Sequence, residues 1–66
     1  MKLVDYEGKK VRIIAQNNKK FEGKVREYIA PEDNEPEGLE SIIIDDILSG
    51  DLVEFPESDI KSIEII

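Results

Sequence analysis

The run VRIIAQNNKKFEGKVREY, residues 11–28, sets the strongest limit on the fold of this chain. Its apolar positions alternate: Val11, Ile13 and Ala15 against Arg12, then Phe21, Gly23 and Val25 against Glu22, Lys24 and Arg26. A period of two belongs to a half-buried strand, because successive side chains point to opposite faces of a sheet. Two such runs divided by Asn and Lys read as a hairpin. If the odd positions of both runs face the core, odd pairs with odd, and the loop has an odd length. The expected loop is residues 17–19, closed by a left-handed residue, a conformation Asn tolerates best after Gly. That register sets Arg12 opposite Lys24 and Lys10 opposite Arg26.

The second run then breaks its own rhythm. Val25 faces inward, and Tyr28, three residues on, is an aromatic that belongs in the core as well. A bulge near Arg26-Glu27 reconciles the two. Gly23 on the core face allows close backbone approach. The remaining apolar runs are short and rich in Ile and Val: SIIIDD at 41–46, DLVEF at 51–55 and IKSIEII at 60–66. Turn residues bound them. LSGDL predicts a tight turn at 49–51, and FPESDI predicts a strand end at Pro56 followed by one 3₁₀ turn. No segment keeps a helical period for ten residues, although MKLVDY can form one helical turn. The expectation is an all-β domain of five strands over residues 1–66, with a long, bent second strand that curls a small sheet into an SH3-like barrel.

Composition removes several function classes. The 66 residues include no Cys and no His, so there is no disulfide, no thiolate metal site and no imidazole base. No nucleophile–base pair, Gly-rich phosphate loop or metal triad is present, so catalysis and cofactors are not expected. Asp45 and Asp46 are adjacent on a strand and point to opposite faces, which keeps them from sharing a substrate. Glu32, Asp33, Asn34, Glu35, Glu37 and Glu40 gather hard oxygen donors, but Pro31 and Pro36 resist closure around one ion, and a solvated acidic loop is the expected state. No apolar run reaches the length of a membrane span, and the first residues lack a signal-peptide core, which makes the cytoplasm the expected location.

Charge is unevenly spread. The net charge is −7. Residues 1–26 carry eight Lys/Arg against three Asp/Glu, while residues 27–66 carry one Lys against thirteen Asp/Glu. Basic and acidic strands satisfying one another within the fold, or between copies, is the simplest account. Lys10, Arg12, Lys19, Lys20, Lys24 and Arg26, with Lys9 beside them, form a candidate contact surface for an anionic partner. A solvated face that protects an exposed hairpin from aggregation, an acidic protein surface and a phosphate backbone all fit that pattern. Aromatic residues that would stack on bases are scarce. By parity Ile14, Ile43 and Ile66 face outward, which marks them as candidate contacts between copies.

The alternating residues Val11, Ile13 and Ala15, the turn at Asn18, and Phe21, Gly23, Val25 and Tyr28 in register resemble the first sequence motif of the Sm-like (LSm) proteins. SIIIDD matches that family's third strand. VEFPESDIKSIEII resembles its second motif, with Phe55 at the apolar position and Ile60 and Ile63 after the turn. The resemblance implies a small five-stranded barrel and a homo-oligomer built by pairing the fourth strand of one copy with the fifth of the next. The residues that read RNA in the family are missing. The loop after the second strand is IAPEDNEPEGLE, in which Asn34 has the wrong spacing, and Pro56 and Glu57 stand where Arg-Gly is usual. The bacterial host-factor branch places a basic residue and His there, and this chain has no His. The expected function is therefore a non-catalytic oligomeric scaffold or protein-interaction module, with RNA binding through phosphate contacts of the basic hairpin as the alternative.

Overall fold

The computed structural model describes residues 2–33 and 38–66. Five strands form one antiparallel sheet: β1 (Lys10–Ala15), β2 (Lys20–Ile29), β3 (Ser41–Asp46), β4 (Leu52–Pro56) and β5 (Ile60–Ile65). Their order is β4-β3-β2-β1-β5, and the ladder does not close on itself, so β4 and β5 are its edges. The helical turn expected in MKLVDY is a 3₁₀ turn at Leu3–Tyr6, the 3₁₀ turn expected before the last strand spans Glu57–Asp59, and a further one lies at Pro31–Asp33. Among the described residues there is no α-helix, and no helix long and apolar enough to cross a membrane.

The alternation seen in the sequence becomes burial. Val11, Ile13, Ala15, Val25, Ile42, Ile44, Phe55 and Ile60 are buried on the inner face. Tyr6, Phe21, Tyr28, Val53 and Ile63 are partly buried against them. Leu3 adds the largest contribution from outside the sheet: its 3₁₀ turn places it fully inside the same core. Burial of such an aliphatic side chain stabilises by about 1.5–3 kcal/mol. The Leu3 N–H is fixed by the Glu40 carboxylate, which ties the N-terminal turn to the residues before β3.

Two features bend β2. The pairing with β3 runs Val25–Ile44 and then Glu27–Ile43, so Arg26 is the extra residue of a bulge and Tyr28 returns to the inner face opposite Ile42. Gly23 sits where β3 backbone approaches β2 closely. A β-carbon there would lie 1.9 Å from the Asp45 carbonyl oxygen.

The first hairpin corrects the expected register. Ala15 N–H donates to the Lys19 carbonyl at 2.9 Å, so the loop is residues 16–18, one residue earlier than expected though still odd in length. Asn18 closes it at φ 68, and Asn17 Oδ1 accepts the Lys19 N–H at 3.0 Å. The shift moves every outward pair by two residues. Arg12 lies opposite Glu22 rather than Lys24, and Lys10 opposite Lys24 rather than Arg26. The physical reason is that a three-residue hairpin loop needs its left-handed residue last, and Asn18 fills that place. The second hairpin turn also starts earlier than expected. It occupies 47–50, closed by Asp46 N–H to the Asp51 carbonyl (2.9 Å) and Gly50 N–H to the Asp46 carbonyl (2.8 Å), with Gly50 at φ 81.

Candidate functional site

Residues directly opposite across strands share a face, so the register places each outward side chain. Arg12 forms the centre of an ion triplet on that face. Its Nε donates to Glu22 Oε2 at 2.9 Å and its Nη1 to Glu64 Oε1 at 3.1 Å. The hydrogen bond from Arg12 holds the Glu22 carboxyl below its usual range, and the bond to Glu22 raises the Arg12 guanidinium in turn. Arg26 Nη1 donates to Asp45 Oδ2 at 3.2 Å. Two of the six sequence-predicted cations are thus already partnered by acids from β2, β3 and β5.

The other four differ. Among the described residues Lys10, Lys19, Lys20 and Lys24 make no ion pair. Lys10 and Lys24 face each other across β1 and β2, and Lys24 is in register with Asp45 on its other side. Lys20 is opposite Ile14 on the same face, and Lys19 closes the hairpin loop. Among the described residues, then, the arginines are partnered by acids and these four lysines are not.

The segment before β3 and the turn after β4 carry the opposite sign. Glu57 N–H donates to the Glu40 carbonyl at 2.9 Å, which joins the segment before β3 to the turn after β4. Tyr28 lies beside this junction. Burial raises the pKa of its hydroxyl, and the nearby carboxylates of Glu40, Glu32 and Glu57 raise it further. Asn34, Glu35 and Glu37 of the acidic loop lie outside the described residues, as does the Asp33 side chain. Among the described residues no group of three or more acids is arranged to hold a metal ion.

The three outward isoleucines do not form one patch. Ile14 is half-buried between Lys20 and Ser62, and Ile43 is half-buried between Glu27 and Glu54. Ile66 is exposed just past β5. Sequence reasoning missed a larger exposure at the second hairpin, where Ile47, Leu48 and Leu52 are 60%, 57% and 62% exposed. The signal was available: DDILSGDL puts two large aliphatic residues inside a turn that Gly50 closes.

The edge strands offer backbone groups. Ile66 N–H donates to the Lys10 carbonyl, so the alternation of an antiparallel ladder turns the N–H groups of Ile63 and Ile65 away from β1. On β4, the bonds Asp46 N–H to Asp51 and Glu57 N–H to Glu40 fix the same alternation. The N–H groups of Leu52 and Glu54 face outward, and Pro56 stands at the next outward position, where its missing donor costs the ladder nothing. Comparison with protein-family models, with curated proteins and with solved structures gives no match for this chain.

Proposed function

We propose that this protein is an Sm-like small barrel that works in the cytoplasm without catalysis, as an oligomeric scaffold or protein-interaction module. The observation that carries the reading is the pair of open sheet edges. β4 and β5 each present outward N–H and C=O groups, and such edges are templates for pairing with another chain. The strand order, the bulged second strand and the 3₁₀ turn before β5 support the small barrel, in agreement with the Sm-like motifs at Val11–Tyr28 and Val53–Ile66. The acidic surroundings of Tyr28, in the place of a base-reading loop, favour a protein partner over RNA. Light scattering over a concentration series tests the oligomer. A mass of several chains that falls to one chain in Ile65→Pro supports edge pairing, because that change removes an outward donor and leaves the bonds to β1 in place. A single-chain mass at every concentration overturns it.

A second reading rests on Lys10 and Lys24, which face each other with no ion pair among the described residues. They and Lys19 and Lys20 would contact a phosphate backbone. Titration of U-rich and A-rich RNA at two salt concentrations decides between the readings. Submicromolar binding with a steep salt slope supports RNA and counts against the scaffold.

A further inference from the structure

β4 combines an open backbone edge with an apolar cleft under its inner face. The N–H and C=O groups of Leu52 and Glu54 point away from β3, and no strand of this chain lies beside them. Val53 and Phe55 face inward from the same strand, opposite the buried Ile44 and Ile42. With Ala15 and Phe21 they supply the apolar lining of a cleft of about 360 Å³, a size within the range of ligand pockets. Asn17 of the first hairpin loop and Asp59 of the turn before β5 complete it. The cleft thus runs from β4 to the end of β1, across the gap that the open ladder leaves. A strand added to β4 turns every second side chain toward it.

The charge around this edge has one sign. Residues 51–60 hold Asp51, Glu54, Glu57 and Asp59 and no Lys or Arg. Glu54 lies on the outer face opposite Ile43, and its carboxylate accepts the Ser41 hydroxyl at 3.0 Å, a bond that leaves its charge in place. Among the described residues no Lys or Arg forms an ion pair with Asp51, Glu54 or Asp59. Lys61, the next base along the chain, donates to Asn18 Oδ1 at 2.8 Å. A second copy of this chain, at −7, brings more of the same charge to the edge. A cationic strand is the complementary occupant.

We propose that β4 takes up an extended, basic segment of a partner protein as an added strand, with the pattern apolar–basic–apolar. Residues directly opposite across strands share a face. The basic residue stands opposite Glu54 on the outer face and pairs with its free backbone groups. The apolar residues on either side of it stand opposite Val53 and Phe55 and turn into the cleft. Pro56, with no donor, ends the pairing and limits the register. Backbone bonds of this kind supply affinity, and the alternate side chains supply specificity. The inference rests on the protein-interaction half of the reading above and names the partner's chemistry; it does not require the oligomer.

An amide-shift titration of the chain with a short capped peptide, Lys between two Val residues, tests it. Shifts are expected at Leu52 and Glu54 on the edge and at Asn17 and Asp59 in the cleft. Exchange of the peptide's Lys for Glu should weaken binding at least about fivefold. Leu52→Pro removes one outward donor and leaves the bonds to β3 in place, so it should weaken binding about tenfold. Leu52→Ala keeps the donor and should bind as the unmodified chain does. Equal binding of the Lys and Glu peptides overturns the basic partner, and this comparison needs no variant that has to fold. Absence of shifts on β4 at millimolar peptide overturns the docking site itself. Shifts on β4 that grow with protein concentration alone assign the edge to a second copy and overturn the peptide reading too. A single-chain mass by light scattering with peptide binding intact removes the oligomer and leaves this inference standing.

Discussion

Asp46 shows how one side chain can organise two strands and a turn. It is a buried carboxylate, and burial by itself would raise its pKa. The backbone N–H of Glu22, the Ser49 hydroxyl and the N–H groups of Leu48 and Ser49 outweigh that effect, and the net shift is downward. A group whose folded pKa is depressed stabilises the fold fully above its unfolded pKa and loses that contribution as pH falls through the folded value. Asp46→Asn should therefore cost about 1–2 kcal/mol at neutral pH, as expected for weakened charge-assisted bonds. Urea midpoints of the two proteins should converge as pH falls through the lowered folded pKa of Asp46. Gly23 is the second residue with a role no other side chain can fill. Alanine there meets the Asp45 carbonyl, which is backbone and cannot rotate away. Gly23→Ala should destabilise by about 3 kcal/mol, the upper range for overpacking, measurable as a fall in urea midpoint with an unchanged slope.

Elements were legible wherever a local conflict pointed to its own solution. The inward demands of Val25 and Tyr28, three residues apart, forced a bulge, and the bulge lies at Arg26. Pro56 and Ser58-Asp59 called for a 3₁₀ turn, and one spans Glu57–Asp59. The hairpin register was less legible because the parity of the two runs fits a loop at 16–18 as well as one at 17–19. The sequence offers two odd loops, and only the hydrogen bond of Ala15 to Lys19 selects between them. That choice changed the outward face from opposed cations at Arg12 to an ion triplet. The exposure of Ile47 and Leu48 escaped notice because they lie in a turn, where polar residues are expected. Asn18 carries a test at this scale. Asn18→Gly should leave stability within a few tenths of a kcal/mol, since glycine adopts the same backbone freely. Asn18→Val should cost about 1–2 kcal/mol, seen as a lower thermal midpoint.

At the scale of the whole molecule, folding distributes the uneven charge without cancelling it. Arg12 reaches Glu64, and Arg26 reaches Asp45, so basic β1 and β2 are each paired with the acidic half of the chain. The net charge of −7 remains, and much of it lies in the segments around Tyr28 and in β4 and the turn before β5. Self-repulsion of this kind is screened over about 8 Å at physiological ionic strength. The thermal midpoint should rise as salt is added from a low-ionic-strength buffer, and a fall would mean that the exposed ion pairs contribute more than the repulsion. The strand order has a further consequence, in time instead of space. β1 lies between β2 and β5, so one side of this inner strand is satisfied by its neighbour in sequence and the other by the strand synthesised last. While the chain is being made, β1 has its hairpin partner early and waits with an open side until β5 arrives. Refolding should show the same lag, with the first hairpin protected from hydrogen exchange before the β1–β5 ladder, because closing the longer loop costs more entropy.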